Sequence, residues 1–139
     1  MDTRPLRKQD FTAITKLFSR AYPEWNEEMA REYLTKFWHF EPQSCLVGVE
    51  DGTIVGAILG YSWERPDDLV LYIQELFVDP DYRGKGYGKA LVAKLRKSFA
   101  GNPFVKVRPL VKADTKVLNF YNSLGFESEQ STSFFFDED

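Results

Sequence analysis

Arg83-Gly84-Lys85-Gly86-Tyr87-Gly88 is the stretch of this chain best suited to chemistry. Its glycines let the backbone turn closely and aim N–H groups at one point. Arg83 and Lys85 add formal charge and charge-assisted donors, and Lys89 follows directly. A helix begins after the loop, so its free N-terminal amides and positive dipole end add to the same site. The predicted ligand is a phosphate. The spacing excludes the commonest phosphate loops. A Walker A loop needs Gly where Arg83 stands and Ser or Thr where Ala90 stands. A Rossmann fingerprint needs its third Gly at Lys89. A kinase glycine loop fails at the same position and joins two strands, not a strand and a helix.

What fits is Arg-x-x-Gly-x-Gly, met by Arg83, Gly86 and Gly88. It is preceded by Leu-Phe-Val-Asp-Pro-Asp-Tyr-Arg-Gly and followed later by Phe120-Tyr121-Asn122-Ser123-Leu124-Gly125-Phe126. In this order the three segments resemble the GCN5-related N-acetyltransferase (GNAT) superfamily. The resemblance is specific from Leu69 to Phe126 and topological before that. It implies acetyl-CoA as co-substrate, with the loop residues Arg83 to Lys89 holding the pyrophosphate. It also implies a bulge in the preceding strand, where backbone amides of Leu76, Phe77 and Val78 hold the pantetheine arm. The Val78 amide would polarise the thioester carbonyl.

Acetyl transfer to an amine needs a base for the ammonium and a proton for the departing thiolate. Glu75 is the only carboxylate between Leu69 and Val78 and is the candidate base, directly or through water. It can equally bind a substrate cation or face solvent. The resemblance assigns Tyr121 the acid role, and a phenol is protonated at neutral pH. The bland alternative is a helix tyrosine packing with Leu118 and Leu124. Asp114 stands where the family commonly has Asn, and could bond the pantetheine amide or cap a helix; Asn119 could substitute. The strand is also similar to spermidine/spermine acetyltransferases, which carry two acids at the positions of Gln74 and Glu75. Gln74 departs from that pattern.

The elements that must position these residues follow from patterning. A short edge strand is expected around Arg4 to Arg7, limited by Pro5. From Asp10, a plausible N-cap, Phe11, Ile14, Leu17 and Phe18 recur at helical spacing. A second helix runs from about Asn26 to Trp38, with Met29, Tyr33, Leu34, Phe37 and Trp38 on its apolar side. By the resemblance these helices lie beside the acceptor site, so Tyr22, Trp25 and Trp38 are candidates to line it. Aromatics at helical spacing also serve as core. Ser44–Glu50 and Thr53–Trp63 form a hairpin around Asp51-Gly52. Leu69–Val78 is a third antiparallel strand, and Glu64 in the preceding turn could attract a cationic amine. A helix over 89–99, a strand from Phe104 to Arg108 and a helix from Asp114 to Ser123 ended by Gly125 follow. A last strand pair is expected at Phe126–Glu127 and Thr132–Phe136. The order β-α-α-β-β-β-α-β-α-β-β matches the superfamily's α/β fold, a mixed, mostly antiparallel sheet flanked by helices.

At 139 residues, 43% hydrophobic and 16% aromatic, the chain suits one domain, residues 1–139, with a real core. A net charge of −3 argues against nucleic-acid affinity. Cys45 is the only cysteine and His39 the only histidine, which gives no metal cluster and no disulfide. With no signal-like segment or long apolar span, a cytoplasmic protein away from membranes is expected. The resulting reading is an acetyl-CoA-dependent N-acetyltransferase acting on a small-molecule or protein amine in a ternary complex, with a homodimer possible. A coenzyme A-binding or sensing module without catalysis is the alternative. A nucleotide-binding protein using the same loop is a second rival.

Overall fold

The computed structural model describes residues 1–102, 105–111, 114–129 and 133–137. Five strands form one sheet in chain order: β1 (Asp2–Pro5), β2 (Cys45–Glu50), β3 (Thr53–Glu64), β4 (Leu69–Val78) and β5 (Val105–Pro109). The first four pair antiparallel, and β4 pairs parallel with β5. Helices α1 (Phe11–Ala21) and α2 (Glu27–Phe40) connect β1 to β2, α3 (Tyr87–Ser98) makes the β4–β5 crossover, and α4 (Thr115–Ser123) follows β5. A parallel pair requires such a crossover, whereas Asp51 and Gly52, both at positive φ, close the β2–β3 hairpin.

Alternation along the strands divides the core into two layers. Val47, Ala57, Leu59 and Phe77 pack against Phe11, Ile14, Phe18 and Leu34 of α1 and α2. Leu46, Ile58, Leu71 and Ile73 face Leu91, Leu95 and Tyr121 of α3 and α4. Phe18 is fully buried and touches Tyr22, Trp25, Tyr33 and Phe77 ring to ring. Its burial contributes about 2–3 kcal/mol and fixes where α1 ends over β4.

Several local expectations change. The first strand covers Asp2–Pro5 and stops before Arg7. Asp10 precedes α1 but does not cap it. Its carboxylate instead accepts from both Arg4 guanidinium nitrogens (2.7 and 3.0 Å) and from the Arg7 amide (2.8 Å), tying β1 to the helix entry. Asn26 does cap α2, accepting from the Met29 amide, and α2 continues to Phe40. Helix α3 begins at Tyr87, two residues ahead of Lys89, because Gly86 itself takes the left-handed turn before the helix.

The expected final strand pair is absent from the described residues 126–129 and 133–137, and Thr132 lies outside them. Phe126 instead completes the end of α4. Its amide bonds to the Tyr121 carbonyl (3.1 Å) while Gly125 bonds to Asn122 (3.0 Å), with Gly125 at φ +91°. This is a Schellman closure with its hydrophobic contact, Phe126 against Tyr121. Phe104, the expected start of β5, also lies outside the described residues.

Candidate active site

The site is built around an irregularity in β4. Leu59 pairs with Glu75 and the next residue, Gly60, pairs with Ile73, leaving Gln74 as the extra residue of a bulge. Leu71 and Ile73 belong to the α3–α4 core layer, so unbroken alternation would send Glu75 there too. The bulge reverses the parity, and Phe77 lies in the α1–α2 layer with Glu75 on the same side. Gly60 makes this possible. A Cβ on it would stand 2.1 Å from the Tyr72 carbonyl oxygen.

On that face Tyr33 of α2 donates its hydroxyl to Glu75 Oε2 at 2.7 Å. Burial pushes the Glu75 carboxyl above its ordinary pKa, and the Tyr33 bond opposes the rise. Tyr33 is itself raised, by burial first and then by donating to Glu75. Tyr22 is raised by burial and then by the Glu75 charge, with Arg83 pulling the other way. Tyr121 is buried and pushed up to about 12, by desolvation first and then by Tyr22 and Glu75. Glu75, Tyr22, Tyr121 and Arg83 therefore share one electrostatic neighbourhood, although they come from β4, the α1–α2 connection, α4 and the loop. Trp25 adjoins it, 4.9 Å from the Tyr33 ring.

Among the described residues, no pairing of β5 with β4 extends past Ile73, where the Leu110 amide meets the Ile73 carbonyl at 2.9 Å. Beyond this point no described strand pairs with the β4 edge carrying Leu76, Phe77 and Val78, which is open among the described residues. The Phe77 side chain is in the core against Phe18, so its backbone is what it can offer a ligand.

The glycine loop starts at that open end. Asp79 binds the Val55 carbonyl through its amide (2.7 Å), and its carboxylate takes Arg20 of α1 (3.1 Å) and the Asp81 amide (2.9 Å). Gly84 and Gly86 have φ +78° and +80°, which a side chain would strain. Arg83 reaches back to the Val78 carbonyl (3.4 Å), and Lys85 lies over the Tyr82 ring. Tyr87 fastens the helix start to the hairpin by donating to Glu50 at 2.6 Å. Gly88 packs beneath Phe120 of α4, where a Cβ would come within 3.3 Å of the ring. The backbone turn, the exposed cations and the amides opening α3 suit a diphosphate, as the open β4 edge suits an amide-bearing arm.

Three expected site residues sit elsewhere or are occupied. Trp38 gives its indole N–H to the Leu6 carbonyl (3.1 Å) and packs edge-on against Phe11, fastening α2 to the chain after β1. Glu64 ends β3 five residues past Leu59, roughly 17 Å along the strand from the partner of Glu75. Asp114 spends its carboxylate on the Lys116 and Val117 amides as the α4 cap. Asn119 is exposed on α4. Sequence reasoning placed Tyr33 among apolar helix residues and missed its bond to Glu75. It also missed Arg20. Tyr33 falls four residues before Phe37 on the inward face of α2, a spacing that marks the face but not the partner. Among the described residues, no group of three or more His, Cys, Asp or Glu could hold a metal ion, and no helix is long and apolar enough to cross a membrane.

The model of the acetyltransferase (GNAT) family matches residues 11–126. An acetyltransferase of Yersinia pestis (strain Pestoides F) is 30% identical over 136 residues, covering 94% of this chain and 91% of that protein. Among solved structures, the aminoglycoside N-acetyltransferase AAC(6')-Iy in complex with CoA has a TM-score of 0.80 at 15% identity, over 99% of this chain and 95% of that one. The ribosomal-protein-alanine N-acetyltransferase of Brucella melitensis biovar Abortus 2308 has a TM-score of 0.78 at 18% identity and covers 99% of both chains. With a family model spanning most of its length and a relative matched nearly end to end, this chain belongs to the acetyltransferase (GNAT) family.

Proposed function

We propose that the protein transfers an acetyl group from acetyl-CoA to a primary amine by direct attack within a ternary complex. The observation that carries this reading is the Gln74 bulge, which turns Glu75 toward Tyr33 and Tyr22 and within electrostatic reach of Tyr121. The relatives support the coenzyme, since one solved neighbour is bound to CoA.

In this reading Arg83, Lys85 and the amides from Gly84 to Lys89 bind the coenzyme's diphosphate. The open edge at Leu76–Val78 receives its pantetheine arm, and the Val78 amide polarises the thioester carbonyl. Glu75 takes a proton from the bound ammonium, and burial favours this by making the carboxylate more basic than one in water. The amine nitrogen then bonds to the carbonyl carbon, the carbon–sulfur bond breaks, and Tyr121 gives its proton to the sulfur. Two protons leave the nitrogen overall; one replaces that given to sulfur and the other goes to solvent.

The raised pKa of Tyr121 bears on this sequence. A phenol at about 12 is a weak donor to a thiolate, whose ordinary pKa is about 8.5. Part of the rise comes from the Glu75 charge. Once Glu75 is protonated that smallest part disappears, so Tyr121 is a somewhat better donor at the stage when the thiolate departs, with the rise from burial still in place. Thiol release from acetyl-CoA, followed over a panel of amines, tests the reading. Tyr121→Phe is expected to lower kcat about 10²–10⁴-fold with the fold intact. Coenzyme A binding without thiol release for any amine would leave a binding module in place of an enzyme.

A further inference from the structure

We propose that the outward continuation of the Glu75 face is an acceptor subsite for a primary amine bearing an aromatic or planar apolar group. The inference rests on the acetyl-transfer reading and adds a substrate class to it.

A connected series of rings leads away from the carboxylate. Tyr33, which holds Glu75, lies 5.1 Å from Phe37, and Phe37 stacks nearly parallel to Tyr61 at 6.4 Å. Tyr61 lies 5.4 Å from Tyr72 and 6.3 Å from Phe40, and Phe40 lies 5.5 Å from Trp63. Tyr33, Phe37 and Phe40 are spaced four and three residues apart, on one face of α2. Tyr61 and Trp63 are alternate residues of β3 and point to that same face. The series ends in the open, with Phe40 57% and Trp63 53% exposed. Two large rings held together at the surface, continuous with a candidate catalytic group, form an exposed apolar patch of the kind that marks an interaction site.

Strand geometry sets the reach. Tyr61 is two residues and Trp63 four residues beyond Leu59, the partner of Glu75, or roughly 7 and 13 Å along the strand. An amine nitrogen at Glu75 with a ring carried on a short alkyl linker would place that ring on Tyr61 and Tyr72.

The polar groups bordering the series are engaged with neighbours or turned away from it. Glu41, at the α2 end of the series, already accepts from Ser62 (2.9 Å) and from Ser44. Asp68 is held by Arg65 and by Lys106 (3.3 Å). Gln74 accepts from Tyr61 at 3.2 Å and carries no charge. Glu64 alternates to the face opposite Trp63. Of the carboxylates bordering the series, Glu75 is the one beside Tyr33 and acting on Tyr22 and Tyr121, so it meets the nitrogen and the rings meet the rest.

The test compares kcat/KM for 3-phenylpropylamine, tryptamine, n-propylamine and spermidine by thiol release from acetyl-CoA. The arylalkylamines are expected to exceed n-propylamine about tenfold or more, through KM. In Phe40→Ser/Trp63→Ser the aryl-to-alkyl ratio should fall toward one, and Trp63→Phe should restore most of it. Equal values for aryl and alkyl amines, spermidine as the best substrate, or an unchanged ratio in the double variant would overturn the subsite while acetyl transfer stands. No thiol from any of the four amines, with thiol released for another amine of the wider panel, would overturn the subsite alone; no thiol from any amine of that panel would overturn both.

Discussion

Glu75 is held in a balance between burial, which favours its neutral form, and the Tyr33 hydroxyl, which favours its charge. In the proposed reading Glu75 is the base and must be ionised to act, so kcat/KM is expected to fall on the acid side as Glu75 takes up a proton. Tyr33→Phe removes the opposing bond and leaves the burial, so the folded pKa rises further and the acid limb moves to higher pH. The variant should therefore lose more of its rate at pH 6 than at pH 8. Loss of packing alone would lower the whole profile without moving it, and an unmoved limb would show that Tyr33 does not act through Glu75. Glu75 and Tyr121 stand out in the sequence as candidates for different reasons. Glu75 is a lone carboxylate in an otherwise uncharged strand, and Tyr121 sits within a segment resembling a known family. Tyr33 was hidden because its significance depends on which way Glu75 points. That is decided by the bulge on another element.

The bulge depends in turn on Gly60, whose backbone lies against the Tyr72 carbonyl. Gly60→Ala would place a methyl group 2.1 Å from that backbone oxygen, where no side-chain movement can relieve it. The strands must separate, which loosens the pairing that holds Glu75, or the bulge must shift, which returns Glu75 toward the wrong layer. The expected cost is about 3 kcal/mol in denaturant unfolding. Activity should fall beyond what the loss of folded protein accounts for. Gly101→Ala, where an added Cβ meets nothing within 4 Å, is the control and should stay within about 0.5 kcal/mol. An equally small effect at position 60 would mean that the bulge tolerates a side chain. Hairpin, helices and both ends of α4 were legible because Asp51-Gly52, Asp114 and Gly125 are local signals. The bulge was expected only through the family resemblance, since Gly60 in a strand does not announce which neighbour it approaches. Asp10 misled because an acid before a helix is a cap by default, yet an arginine six residues earlier takes it. Phe126 misled because an apolar residue after Gly suits a strand start and a Schellman contact equally well.

At the scale of the molecule, one sheet separates two cores, and the candidate site lies where both reach the surface, at the open half of β4. Coenzyme bound there would touch the β4 edge, the glycine loop and the start of α3, elements from both sides of the fold. Such a ligand binds the folded chain and not the unfolded one, so it must stabilise by mass action. At a hundredfold excess over Kd the gain is about 2.7 kcal/mol, which for a chain of 139 residues raises Tm on the order of 10 °C. Arg83 is exposed, and the one bond described for it here is the long one to the Val78 carbonyl. Arg83→Ala should therefore leave the ligand-free Tm within about 1–2 °C. Its absence removes a charge-assisted contact to phosphate, worth about tenfold in Kd, or about 1.4 kcal/mol. At the same coenzyme concentration the shift should fall to about half. Added salt should shrink it in the parent protein more than in the variant, because a charge pair at the surface is screened. A full shift retained in Arg83→Ala would place the diphosphate on Lys85 and the loop amides without Arg83, and no shift in the parent protein would remove the coenzyme from this loop altogether.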